Sequence, residues 1–78
     1  MSKSPEAFRK ITDAASEIGV TKHVLRYWER RFHQIKPMRL GGGRRFYRER
    51  DMELLKRIHH LVHVEGYTIK GAQRQLRD

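Results

Sequence analysis

Apolar positions recur at helical spacing through most of this 78-residue chain. The pattern begins near Thr12, a candidate helix cap with Asp13 in the first turn, and stops at Gly19. It resumes directly after Thr21, whose hydroxyl can accept from an amide of a new helix. Because glycine commonly follows the last residue of a helix, the pattern predicts two short helices joined by a tight turn. That arrangement is a helix-turn-helix.

Helical pitch divides the second helix, residues 21–32, into two faces. One face is apolar and is expected to pack on the core: Val24, Leu25, Trp28 and Phe32. The other is cationic: His23, Arg26 and Arg30, flanked by Lys22 and Tyr27. A helix with one buried apolar face and one exposed cationic face is typical of proteins that bind a polyanion.

Helical periodicity fails after this helix, around three consecutive glycines at residues 41–43. Short segments that contain apolar residues flank the glycines, which predicts a β-hairpin with arms at residues 38–40 and 45–47. We expect Phe46 or Tyr47 to pack against the core.

Arg44 and Arg45 directly follow the glycines. A glycine tip lets the backbone approach a phosphate closely, while guanidinium groups on either side can pair with it. A flexible linker is the alternative, and the aromatic pair after the arginines disfavours it.

The strongest apolar stripe lies in a third predicted helix, residues 49–65, and consists of Leu54, Leu55, Ile58, Leu61 and Val62. Gly66 ends this helix, and a short last helix follows Thr68 with Ile69, Ala72 and Leu76 on one face. Residues 1–10 show little periodicity. We expect them to form a mobile N-terminal arm, with Phe8 as a candidate for contact with the domain, and residues 11–78 to form the domain itself.

Charge narrows the class of partner. The formal net charge is +9, and residues 22–50 hold ten Lys and Arg against two Glu, a net charge of +8. Such concentration predicts a phosphate-rich partner. Cysteine is absent, so this segment has no disulfide and no thiolate metal ligand. No apolar run approaches the ~18 residues that span a bilayer, and no signal peptide is visible. We therefore expect a cytoplasmic protein.

Several short motifs together resemble the DNA-binding domain of the MerR family of bacterial transcription regulators. The motifs are Ile11-Thr12-x-x-Ala15, Gly19-Val20-Thr21, Leu25-Arg26-Tyr27-Trp28-Glu29, Gly43-x-Arg45-x-Tyr47 and Gly66-Tyr67-Thr68-Ile69. The resemblance covers about residues 8–76. It implies a mainly α, winged helix-turn-helix fold, with the hairpin as the wing and two further helices after it.

The resemblance also implies which residues contact which part of double-stranded promoter or operator DNA. Helix 21–32 would lie in the major groove, and the wing, residues 39–47, on the phosphate backbone. Lys22, His23 and Arg26 would contact base edges or adjacent phosphates, Tyr27 the backbone, and Arg45 and Tyr47 phosphate. With the cap and the remaining cations, the candidate DNA-binding set is Thr21, Lys22, His23, Arg26, Tyr27, Arg30, Arg44, Arg45 and Tyr47. Two alternatives stay open: Tyr27 could pack at the edge of the core, and Arg30 or Arg31 could be solvated.

The chain departs from the family pattern in three ways. Trp28 stands where a second tyrosine is common, which favours a core role. Arg48 stands where a capping Ser, Thr or Asp is usual, so the third helix is expected to fray at its start. Full-length members continue into a dimerising helix and an effector-binding segment. We therefore expect a homodimer through a segment absent from this sequence, with a small excisionase-like or architectural DNA-binding protein as the alternative.

Other functions have weaker support. His59 and His63 lie four positions apart on the predicted helix and could share a metal, but no third ligand is evident. Surface histidines on a basic helix explain the run of His59, His60 and His63. RNA binding fits the charge, yet no aromatic platform for unstacked bases is visible. No nucleophile–base pair or carboxylate cluster suggests catalysis. We expect neither an enzyme, nor a cofactor, nor a metal.

Overall fold

The computed structural model describes residues 8–77, and in them the helix-turn-helix forms as expected. Helix α1 spans Ile11–Ile18 and helix α2 spans Lys22–Arg31. Gly19 ends α1 with a φ of 97°, a left-handed conformation in which only glycine is unstrained. The hydroxyl of Thr21 accepts from the amide of Val24 at 3.2 Å, which confirms the predicted cap of α2.

Helix α1 begins two residues before the start that a cap at Thr12 implies. Lys10, with extended backbone angles and no capping side chain, precedes the first turn. The prediction that Thr12 caps α1 was wrong, because a strand leads directly into the helix at Ile11. Asp13 does lie in the first turn, as expected.

A three-stranded antiparallel sheet forms the wing and its support. Strand β2 spans Met38–Leu40, β3 spans Arg44–Tyr47, and the short β1, Arg9–Lys10, pairs with the other edge of β3. The predicted hairpin is confirmed.

Strand β1 corrects the expected N-terminal arm. Arg9 lies opposite Tyr47 and Lys10 opposite Phe46, so these two residues belong to the folded domain. Phe8 is 47% exposed, so about half of its surface is covered, and its contact with the core stays a prediction. Residues 1–7 of the expected arm, and Asp78, lie outside the described residues.

Helix α3 spans Glu49–His59 and continues as a π-helical turn, His60–Val64, where one longer α-helix was expected. The apolar stripe did not distinguish the two, since a π turn inserts only one additional residue into the helical spacing. Helix α4 spans Ile69–Arg77, and the hydroxyl of Thr68 accepts from the amide of Gly71 at 3.0 Å.

The predicted fraying at the start of α3 was also wrong. The carboxylate of Asp51 accepts from the backbone amide of Arg48 at 2.8 Å and from its Nε at 2.9 Å. Asp51, in the first turn of α3, therefore caps the helix in place of a capping side chain at position 48. Arg48 also donates to the carbonyl oxygen of Lys36 at 2.8 Å, which ties the segment before β2 to this helix.

One core joins the helices and the inner face of the wing. Its buried members are Ala14, Ala15, Ile18, Leu25, Trp28, Phe32, Ile35, Tyr47, Met52, Leu55, Ile58, Leu61 and Ala72. Trp28 is 2% exposed, as its core assignment predicted. The fold is the expected mainly α, winged helix-turn-helix, with a strand added in front.

Candidate nucleic-acid interface

Helix α2 presents the cationic face that its sequence predicted. Leu25 and Trp28 are buried on its inner side, and Phe32 is buried directly after it. The outer side is exposed and carries Lys22, His23, Arg26 and Arg30. The core thus holds one side of the helix, while the cationic side stays in contact with solvent and accessible to a polyanion.

Tyr27 lies at the surface beside this cationic face. Its side chain is 38% exposed, and the guanidinium carbon of Arg31 lies 6.0 Å from the centre of its ring. This cation–π contact orients the ring without burying it. The exposure favours the predicted backbone contact over packing at the core edge.

The two wing arginines occupy different environments. Arg44 is exposed at the end of the glycine turn, where Gly42 and Gly43 have φ of 70° and 79°. Arg45 is half-buried, and its Nε donates to Oε1 of Glu29 on α2 at 2.9 Å. Arg44 is therefore the more accessible cation of the pair.

Tyr47 requires a correction. Its side chain has no exposed surface, and its hydroxyl donates to the second carboxylate oxygen of Glu29. Side chains alternate along a strand, so Tyr47 faces inward together with Arg45. The predicted phosphate contact of Tyr47 was wrong, because the ring cannot reach a ligand while the wing is folded.

Glu29 is one of the residues at this site that the sequence pattern did not reveal. It is the one acidic residue of α2, and it follows Leu25 by four positions, which places it toward the core side of the helix. Its carboxylate binds two residues of β3 and is only 11% exposed. Burial, followed by the hydrogen bond to this carboxylate, raises the pKa of the Tyr47 phenol well above its ordinary range. The phenol therefore stays a hydrogen-bond donor throughout the physiological range.

A groove runs between α2 and the wing. Its volume is about 330 Å³, and it is lined by Lys10, Ile11, Thr12, Arg26, Gly42, Gly43, Arg44, Arg45 and Phe46. Four of these residues are cationic and none is acidic, so the groove favours an anion. Lys10 and Thr12 were missed as candidates because β1, which brings them to the wing, was not predicted.

The three histidines each interact with a neighbouring side chain. The rings of His59 and His63 stack at 4.8 Å, and Nε2 of His60 lies 2.9 Å from Glu65. Nowhere in residues 8–77 do three or more His, Cys, Asp or Glu side chains come together in a way that could hold a metal ion.

No helix among the described residues is both long and apolar enough to span a membrane.

Comparison with known proteins identifies the family. The model of a protein family described as "MerR HTH family regulatory protein" matches residues 9–78. The chain is 37% identical over 67 residues to the transcriptional repressor CarH of Myxococcus xanthus, covering 86% of this chain and 22% of that protein. It is 34% identical over 64 residues to the transcriptional regulator YfmP of Bacillus subtilis (strain 168), covering 82% of this chain and 46% of that protein. The chain therefore spans less than half the length of these curated relatives.

A solved structure shares the fold. The crystal structure of HiNmlR, a MerR family regulator lacking the sensor domain and bound to promoter DNA, has a TM-score of 0.74. The superposed region covers 90% of this chain and 55% of the HiNmlR chain, and the sequence identity is 20%. The family match is to regulatory proteins, in agreement with the expectation that the chain is not an enzyme. With nearly the whole chain matched, this protein belongs to the MerR family of helix-turn-helix transcription regulators, of which it forms the DNA-binding domain.

Proposed function

We propose that this domain binds double-stranded promoter DNA sequence-specifically, with α2 in the major groove and the wing on the phosphate backbone. The observation that carries the proposal is the continuous cationic surface from the outer face of α2 through the groove to Arg44. A helix of this size fits the major groove, which is about 12 Å wide.

The candidate contacts divide by position. Lys22, His23 and Arg26 lie on the exposed side of α2, where side chains could reach base edges. Lys10 and Arg44 line the groove on the wing side and are suited to phosphate. Thr21, Tyr27 and Arg30 complete the proposed interface as exposed residues of the same face. Arg45 contributes charge while its Nε remains bound to Glu29.

The assembly of the whole protein is also a proposal. Since the chain spans 22% and 46% of two curated relatives, we infer that a segment outside this sequence forms a homodimer. A dimer would bind two half-sites one helical turn apart. HiNmlR is described as bound to promoter DNA, and a regulator of this kind would act at the nucleoid in the cytoplasm.

The test is selection of bound duplexes from a random DNA library by this 78-residue chain, followed by titration of the enriched duplex across a salt series. We expect a short enriched motif, and an affinity that falls linearly with the logarithm of salt concentration. An inverted pair of motifs would support dimerisation of the parent protein.

Two outcomes contradict the proposal in different ways. Salt-sensitive binding that enriches no motif would leave the architectural, non-specific alternative. Failure to bind any duplex would exclude double-stranded DNA as the ligand of the cationic surface and would make RNA the next candidate.

A further inference from the structure

Arg31, the last residue of α2, lies beside Tyr27 on the surface of that helix. The two residues are four positions apart and therefore share one side of the helix. The guanidinium carbon of Arg31 lies 6.0 Å from the centre of the Tyr27 ring, which is 38% exposed. No carboxylate of residues 8–77 forms an ion pair with Arg31. Its charge therefore interacts with the electron-rich face of the ring, which restricts how the ring can turn.

The backbone of Arg31 is held by a different helix. The last carbonyl groups of a helix have no partner within it, and many helices satisfy them with a left-handed glycine. Helix α2 ends instead at Phe32, whose backbone is extended. The side-chain amide of Gln73, on α4 and 42 positions further along the chain, donates to the carbonyl oxygen of Arg31. Gln73 thus caps the end of α2 and fixes the residue that carries the guanidinium.

Gln73 is in turn positioned by the packing of α4. It is half-buried and directly follows Ala72, which has no exposed surface. Ile69 and Leu76, on the same helix, pack against the core. Because the core holds this helix, the amide of Gln73 can act as a fixed donor to α2.

The cavity beside this contact disfavours other orientations of Arg31. Its volume is about 260 Å³, and it is lined by Arg31, His33, Gln34, Gln73 and Arg77. No acidic residue is among them, so a charge turned into the cavity would approach the like charge of Arg77. Repulsion on this side and the ring on the other direct the guanidinium of Arg31 toward Tyr27.

We propose that Gln73 and Arg31 are positioning residues for Tyr27: the amide of Gln73 fixes the backbone of Arg31, and the guanidinium of Arg31 holds the ring in the orientation that contacts the DNA backbone. This inference rests on the proposed DNA-binding function. It gives Arg31 a role other than phosphate contact. A ring that is ordered before binding loses less conformational entropy when the complex forms, and the complex is tighter for that reason.

The first test uses the free 78-residue chain and no DNA. In the wild type, the ring of Tyr27 should shift the NMR resonances of the Arg31 side-chain protons upfield. Gln73→Met keeps the length of the side chain but removes the donor, so the shift should decrease. Gln75→Met is the matched control, since it makes the same change at an exposed position of α4, and it should preserve the shift.

The second test is a double-mutant cycle on the duplex enriched by the wild-type chain. We expect Arg31→Gln to weaken binding about threefold and to leave the salt slope unchanged. In a Tyr27→Ala background the same substitution should have no further effect, because Arg31 acts through the ring. Arg31→Lys keeps a cation near the ring and should partly restore affinity. Arg74→Gln removes an equal charge from an exposed position of α4 and should bind as the wild type.

Failure of the inference and failure of the function give different results. Equal effects of Arg31→Gln with and without Tyr27, together with a salt slope lowered by about one, would mean that Arg31 itself contacts phosphate. The DNA-binding function would then stand and the positioning role would be refuted. Wild-type affinity of Arg31→Gln would refute it too.

The role of Gln73 can fail separately. An unchanged Arg31 shift in folded Gln73→Met would refute its part in the arrangement. If Gln73→Met does not fold, the cycle still decides the role of Arg31, which is exposed. Absence of duplex binding by the wild type would overturn both the function and the positioning role.

Discussion

The Nε atom of Arg45 lies 2.9 Å from Oε1 of Glu29, so an arginine of the wing is tied to helix α2. The hydroxyl of Tyr47 donates to the other oxygen of the same carboxylate. One side chain of α2 therefore binds two residues of β3, which stand two positions apart on the inner face of the strand. This bridge sets the position of the wing relative to the helix that is proposed to enter the major groove.

Substitution Glu29→Gln should lower stability and increase non-specific DNA affinity. Glutamine keeps the size of the side chain but removes the ion pair with Arg45, at an expected cost of about 1 kcal/mol for this partly exposed pair. The loss of one negative charge near the groove should strengthen binding to a random duplex. Urea unfolding and fluorescence anisotropy measure the two effects. The control is Glu65→Gln, which alters the exposed His60–Glu65 pair on the π turn. Equal effects of both substitutions would contradict the bridge.

Tyr47→Phe should change how stability depends on pH. Burial and the hydrogen bond to Glu29 raise the pKa of the folded phenol above its ordinary value of about 10. In alkaline solution the unfolded chain therefore loses this proton first, and the free energy of unfolding falls as pH rises. The contribution is fully present below about pH 10 and decreases above it by at most about 1.4 kcal/mol per pH unit.

Phenylalanine removes this contribution, so urea unfolding of Tyr47→Phe should show a shallower decline in alkaline solution than the wild type. Tyr27→Phe is the control at an exposed ring and should retain the wild-type decline. Parallel curves for wild type and Tyr47→Phe would mean that the phenol of Tyr47 titrates normally.

Arg26→Ala should reduce both affinity and selectivity. Arg26 is exposed on α2 and also lines the groove, where its guanidinium could pair with a guanine edge. We expect a loss of about 1–3 kcal/mol on the enriched duplex and a relaxed preference at one base position. An equal loss on random DNA would assign Arg26 to phosphate rather than to a base.

Arg44→Ala should weaken binding to all duplexes alike and reduce the salt slope by about one. The structure separates Arg44 from its neighbour Arg45, whose Nε is bound to Glu29. Loss of Arg45 would leave the largely buried carboxylate of Glu29 without its cation, and so should also lower the melting temperature. Arg44 is exposed, and its substitution should leave the melting temperature unchanged. A comparable destabilisation by both would contradict this difference.

Trp28→Ala should cost about 3–5 kcal/mol of stability, because the indole is 2% exposed and packs in the core behind the cationic face. Tyr27→Ala, one position away on the exposed side, should cost far less. Chemical unfolding of both variants measures the contrast. An unchanged melting temperature for Trp28→Ala would place the indole at the surface and require α2 to be rotated about its axis.

The local sequence pattern was sufficient to predict the helix-turn-helix and the wing. The faces of α2 follow from helical pitch, and the turns follow from Gly19, Thr21 and the three glycines. These features are determined by residues a few positions apart, and they can be read directly from the chain. The same spacing placed Trp28 in the core.

Other features depended on residues that meet only after folding. Strand β1 is two residues long and has no periodicity of its own; it exists because Arg9 and Lys10 pair with Tyr47 and Phe46. Its ion pairs join Arg9 to Glu17 and Glu49, on two different helices. No local signal in residues 9–10 could predict this.

The sequence by itself determined the cationic face of α2, the glycine-tipped hairpin and the family to which the chain is similar. Only the tertiary structure decided which cations are accessible. Arg45 and Tyr47 belong to the same motif as Gly43, yet the packing of β3 against α2 turns both toward Glu29, 16 and 18 positions away in the chain. A carboxylate enclosed between a helix and a strand is stabilised by a cation and a hydroxyl donor. As a result Tyr47 is buried and Arg45 is only partly accessible, while Lys10 and Arg44 are exposed cations on the wing side of the groove.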